Sequence, residues 1–163
     1  MQANYLDASA AVKLVVEEPG SDNIRAYFQN RGKTHSAFFM TRLCLDEALG
    51  VLKHKWLKVK VSREQYIGIS QLLQSCVRNH RIVVDDVDLS DNNTFNKAEE
   101  LVRRYNLDLS DALQIFTLKH GKFRFNSLES KSILITADGS LADAAREEGL
   151  RVWNCQKTAH PPN

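Results

Sequence analysis

No apolar run in this chain approaches the roughly 20 residues that a membrane-spanning helix needs, so a bilayer span is excluded. The opening Met1-Gln2-Ala3-Asn4-Tyr5-Leu6-Asp7 offers neither a basic n-region nor a cleavable apolar segment, and no export signal is expected. Cysteine is sparse. Cys44, Cys76 and Cys155 form an odd set without CxxC spacing, which argues against a disulfide framework and for a reducing, cytoplasmic compartment. The five histidines show no HxH or HExxH spacing, so zinc is unsupported. The seven glycines form no G-x-x-x-x-G-K-[ST], G-x-G-x-x-G or G-x-S-x-G. P-loop, dinucleotide and serine-hydrolase chemistries are thereby disfavoured. Asp85, Asp86, Asp88 and Asp91 lack the alternating ladder and late glutamate of an EF-hand, and read as a solvated turn.

What remains is an ordinary globular composition, 43% hydrophobic and 26% charged over 163 residues, enough for one domain with a real core. That domain is placed at residues 1–155, with 156–163 as a flexible C-terminal tail. Near the end, 132–136 reads as a buried strand, 140–148 as a helix, Gly149 as its C′ residue and 150–153 as a further strand. Strand, helix, strand at this spacing requires a parallel pair. The same order opens the chain, with a strand at 4–6, a helix at 9–17, a break at Pro19-Gly20 and a helix at 23–30. Helices are further expected at about 41–58, 62–79, 93–105 and 109–120, and a strand at 81–84. The predicted class is α/β, a three-layer α/β/α sandwich with a central, mostly parallel sheet.

Ligands in such folds bind beyond the carboxyl ends of the strands. Asp7 and Asp138 fall at that edge. Glu47 and Asp111 lie on helices, on stripes shared with Leu43, Gly50 and Val51 and with Ile115 and Leu118. The Glu47 helix carries a second apolar stripe, Leu45, Leu49, Leu52 and Trp56, so burial on two sides is expected. Each acid alone has a structural explanation. Asp7 and Asp138 suit helix N-caps, and Asp111 suits a first turn. Together, four ionised carboxylates in apolar surroundings repel one another, and a divalent cation is the simplest compensation. A hydrolytic Mg²⁺ or Mn²⁺ centre built from Asp7, Glu47, Asp111 and Asp138 follows as the expectation. The 42–63 stretch sets six basic residues against Asp46 and Glu47, which fits either a polyanionic substrate or a solvated helix surface.

Four segments resemble the PIN-domain nucleases, especially the VapC-type toxins. These are Tyr5-Leu6-Asp7-Ala8-Ser9-Ala10 with Val12-Lys13-Leu14, Leu45-Asp46-Glu47-Ala48-Leu49, Leu109-Ser110-Asp111-Ala112-Leu113-Gln114-Ile115, and 135–145 around Asp138. They occur in the family's order over nearly the whole chain. The resemblance implies an often dimeric domain whose acids hold Mg²⁺ or Mn²⁺ and cleave RNA, paired with a small antitoxin. By position, Asp7, Glu47, Asp111 and Asp138 are the acidic set, with Ser9 and Thr136 as supporting hydroxyls. Lys13, Arg42 and Lys53 are candidates for holding the substrate backbone. The chain departs from the pattern at Lys122–Lys131, which separates the Asp111 helix from the Asp138 strand by more than the family usually allows. A housekeeping RNA-processing or structure-specific DNA nuclease, or a non-catalytic RNA- or protein-binding domain, are the alternative readings.

Overall fold

The computed structural model describes residues 2–31, 36–124 and 132–162. Five strands form one wholly parallel sheet: β1 (Gln2–Leu6), β2 (Ser36–Met40), β3 (Ile82–Val84), β4 (Ser132–Thr136) and β5 (Val152–Asn154). Their order is β3-β2-β1-β4-β5. Seven helices accompany them among the described residues: α1 (Ala8–Val15), α2 (Ser21–Arg31), α3 (Arg42–Leu57), α4 (Arg63–Arg78), α5 (Asn92–Tyr105), α6 (Leu109–His120) and α7 (Gly139–Glu147).

Side chains alternate between the two faces of each strand, and the core divides accordingly. Leu6, Phe38, Met40, Ile82, Ile133 and Ile135 meet α1 to α4 on one face. Ala3, Tyr5, Phe39, Leu134 and Val152 meet α6 and α7 on the other, flanked by Leu101 and Tyr105 of α5. The three-layer α/β/α architecture is as expected, and both faces of the parallel sheet are covered, as such sheets require. β2 has no counterpart among the elements expected from sequence. Its Ser-Ala-Phe-Phe-Met run is too short to show a period.

Two details fix the site's frame. The chain builds outward from β1 to β2 and β3, then crosses to β4 and β5 on β1's other side. The strand order therefore reverses between β1 and β4, a crevice where α/β proteins bind ligands. Gly20 holds φ +90°, and a Cβ there would stand 2.7 Å from the Cys155 carbonyl oxygen, so the turn after α1 can close against the β5 end only as glycine. Residues 156–162, expected as a loose tail, are tied back: Trp153 Nε1 donates to the Thr158 carbonyl at 3.0 Å and Arg151 Nη2 to that of Pro162 at 2.7 Å. Most of the departure segment at 122–131 lies outside the described residues. No described helix is long and apolar enough to cross a membrane.

Candidate active site at the carboxyl edge of the sheet

Asp7 is the residue immediately after β1 and the N-cap of α1, 3% exposed. Its carboxylate accepts from the Ala10 amide at 2.7 Å, from Ser9 Oγ at 2.8 and 3.0 Å, and from Thr136 Oγ1 at 2.5 Å. Thr136 ends β4, and its hydroxyl in turn accepts from the Asp138 amide at 2.8 Å. Ser9 Oγ accepts from the Ala137 amide at 2.8 Å. Ser9 and Thr136 thus lace the ends of β1 and β4 together around Asp7, across the crevice where the strand order reverses. Asp138 caps α7 through the Leu141 amide at 2.9 Å and is exposed. The cap that explains Asp138 structurally is therefore made, and its charge also reaches Asp7.

Asp111 sits in the first turn of α6, half-buried, behind an N-cap residue, Asp108, that makes no side-chain cap bond. Gln114, one turn on, is fully buried and anchors the helix. Its Nε2 donates to the Leu6 carbonyl at 3.0 Å, and its Oε1 accepts from Cys44 Sγ at 3.1 Å. Cys44 belongs to α3, one turn before Glu47. A single amide therefore ties the Asp111 helix, the Glu47 helix and the end of β1 together. Sequence reading passed over Gln114 and Cys44. The available signal was a lone amide inside an otherwise apolar helix, since a buried polar group needs partners.

Glu47 corrects an expectation. It is exposed, and its stripe is open, with Leu43 36% and Val51 38% exposed. α3 buries Cys44, Ala48 and Leu52 instead, so it is covered on one side and faces solvent on the other. Asp85 corrects another. It is 1% exposed rather than part of a solvated turn, and Tyr5 Oη donates to its Oδ2 at 2.6 Å. Its burial raises its carboxyl above the usual range.

The electrostatics show which acids feel one another. Burial pushes Asp7 from 3.8 up to about 6; bonds from Thr136, Ala10 and Ser9 oppose that rise, and the Asp138 charge adds to it. Asp111 is pushed from 3.8 up to about 7, by burial first and then by the charges of Asp7, Glu47, Asp138 and Asp108. Cys44 reports the same convergence. Burial drives its thiol up to about 12, with Asp7, Glu47 and Asp111 contributing. A protonated, buried thiol is no nucleophile. Among the described residues, no ion pair reaches any of the four acids.

Two observations pull in different directions. The fields of the four carboxylates converge, yet among the described residues no three His, Cys, Asp or Glu side chains are drawn up as a ligand cage. All-oxygen donors and charge that no ion pair compensates among the described residues suit a hard cation such as Mg²⁺. That ion keeps several waters and takes one or two carboxylates directly. Asp7 and Asp111, whose ionised forms are disfavoured by burial, are the two that a cation would relieve most.

The candidate backbone-binding residues scatter. Lys13 is buried with its Nζ 3.2 Å from Glu18 Oε2, and Lys55 pairs with the other oxygen of the same carboxylate. Arg42 is exposed and lies 3.6 Å from Asp86 Oδ2. Lys53 is exposed, on a face of α3 about a third of a turn away from Glu47.

The PIN domain family model matches residues 5–147. Among solved structures, the chain is similar to the crystal structure of PAE2754 from Pyrobaculum aerophilum, with a TM-score of 0.55 at 17% identity. The match covers 88% of this chain and 84% of that one, and that likeness speaks to fold alone. No curated protein sequence matches the chain.

Proposed function

The chain belongs to the PIN domain family, generally metal-dependent nucleases, and from that premise we propose that it is an Mg²⁺- or Mn²⁺-dependent endoribonuclease of the VapC type. The observation that carries the reading is the gathering at the β1–β4 crevice: Thr136 ties the end of β4 to Asp7 and Gln114 ties the Asp111 helix to Leu6, and Asp111, raised first by burial, is raised further by the charges of Asp7, Glu47 and Asp138. Carboxylates remote in sequence do not repel one another unless the fold gathers them.

A bound divalent cation lowers the pKa of a coordinated water towards neutrality and offsets charge on the phosphoryl oxygens. Asp7 and Asp111 are the residues to hold it. Glu47 and Asp138, both exposed, would complete the shell or orient the water. Ser9 and Thr136 hold Asp7 in one rotamer and keep its carboxylate ionised, because donors to the charged form lower its pKa. Lys13, already committed to Glu18, serves the fold, and the exposed Arg42 would reach a phosphate only by leaving Asp86. The proposal extends to a toxin role, with a small antitoxin that covers the acidic crevice, a homodimer in solution and a cytoplasmic setting.

The test is cleavage of a labelled single-stranded RNA, with a matched DNA strand beside it, in Mg²⁺, in Mn²⁺ and in EDTA. RNA cleavage that needs metal and vanishes in Asp7→Asn supports the reading. Cleavage of DNA alone, or full activity of Asp7→Asn, refutes it.

A further inference from the structure

Beside the acidic crevice, the open face of α3 and the turn after it form a groove of about 490 Å³ lined by Glu47, Gly50, Val51, His54, Lys58 and Lys60, with Lys55 at its side. Glu47 begins it. The groove then follows one stripe of the helix, and Lys58 stands eleven residues on, roughly 16 Å along the axis at 1.5 Å per residue.

Three features give the groove a sign and a shape. Lys58 and Lys60 are exposed, and neither has an ion pair among the described residues. Glu18 is held between Lys13 and Lys55 and offsets one of those two charges, leaving Lys58 and Lys60 unopposed by any ion pair among the described residues. The one lining carboxylate is Glu47, at the end that joins the catalytic cluster.

Gly50 lies mid-helix, where glycine weakens a helix, and a Cβ there would meet nothing within 4 Å. No packing demands it; its absent side chain keeps the groove floor low. Val59 closes α3 with φ +55° while 89% exposed, a conformation that β-branched residues rarely adopt. Its amide donates to the Trp56 carbonyl at 2.8 Å and the Lys60 amide to that of Lys55 at 2.9 Å. This paired closure reverses the chain and returns Lys60 to the same groove as Lys58.

We propose that this groove is the track by which a single-stranded RNA backbone reaches the acidic centre, with Lys58 and Lys60 each neutralising a phosphate and Gly50 admitting the close approach of the strand. The proposal rests on the reading of that centre as a ribonuclease site. Its chemistry is separate, because binding along the track needs no metal and no cleavage.

The experiment measures fluorescence anisotropy of a labelled single-stranded RNA with the Asp7→Asn protein in EDTA, across a range of salt. In that background, Lys58→Ala/Lys60→Ala is compared with Arg78→Ala/Lys157→Ala, which removes the same charge from exposed positions elsewhere. Loss of two phosphate contacts at an exponent of roughly 0.7 each weakens binding about 25-fold at 0.1 M salt and flattens the log–log salt slope by about 1.4. Gly50→Leu, which fills open space without touching charge, also weakens binding. Equal losses in the two double variants, or parental binding by Gly50→Leu, overturns the track. A parallel cleavage assay with Asp7 intact and Mg²⁺ present keeps the two readings apart. Groove-dependent binding without cleavage leaves the track standing and removes the nuclease reading. Cleavage with an unchanged KM after lysine loss does the opposite.

Discussion

Metal-free protein should lose stability as pH rises from 4 to 8, and Asp7 should be a main reason. Its carboxyl is raised from 3.8 to about 6 by burial, so the folded state binds a proton more readily than the unfolded chain. Stability then declines wherever the native state holds the extra proton. The contribution is intact at pH values below 3.8 and is lost as pH climbs through about 6. A shift of this size is worth about 3 kcal/mol in full. Between pH 4 and pH 8, about 2.4 kcal/mol of it is expressed. Asp7→Asn carries no such charge, while its side-chain oxygen still accepts from Ala10. In EDTA, the variant should gain on the wild type by about 2 kcal/mol over that range, or roughly 4–8 °C in Tm for a chain of this size. The assay is thermal unfolding of both proteins at half-unit pH steps, taken as a difference so that shared groups such as His120 and Glu148 cancel. Mg²⁺ should close the gap by stabilising only the wild type. A difference that is flat with pH, or that turns against Asp7→Asn as pH rises, refutes the account of Asp7 as an uncompensated buried charge.

Three further outcomes follow from particular contacts. Gln114→Leu orphans the buried Leu6 carbonyl and should cost about 1–3 kcal/mol, read as a lower urea midpoint, together with a drop in kcat as α6 and α3 lose their common tie. Thr136→Val removes the 2.5 Å donor to Asp7 and raises that carboxyl further. The acid limb of the kcat–pH profile should then move to higher pH, and an unmoved limb would separate Asp7 from the rate. Tyr5→Phe strips Asp85 of its hydrogen-bond donor at 2.6 Å in a site that already leaves Oδ1 unpartnered. It should destabilise by about 2 kcal/mol or more at pH 8 and by less under acid, because burial raises the Asp85 carboxyl and lets it take up a proton more readily, as denaturant titrations at pH 8 and pH 4 would show.

The sheet's parallel sense was legible because helix-length patterns separate short apolar runs, which leaves no room for hairpins. Asp7 and Asp138 were legible as edge residues because Asp7 directly follows such a run and Asp138 stands two residues after another. What pattern could not supply was the relation between elements. Nothing in the periodicity of 109–120 says that Gln114 reaches Leu6 or that Cys44 reaches Gln114, although those bonds assemble the cluster. Lys13 was a candidate for holding the substrate backbone because lysines usually reach solvent. Its burial goes with an ion pair to Glu18, in the turn after α1. The Glu47 stripe misled in the other direction. Apolar neighbours at helical spacing usually mark a buried face, but here Gly50 and Val51 line an open groove and Leu43 is 36% exposed. Asp85 was obscured by its neighbours, since Asp86, Asp88 and Asp91 are solvated and one buried member of an acidic run carries no mark in sequence.

Crystals soaked in Mn²⁺ and measured for anomalous scattering address the central claim most directly. The account predicts a peak at the β1–β4 crevice within direct bonding distance of Asp7 or Asp111, abolished in the Asp7→Asn protein. A peak elsewhere, or an empty crevice at saturating Mn²⁺, contradicts it.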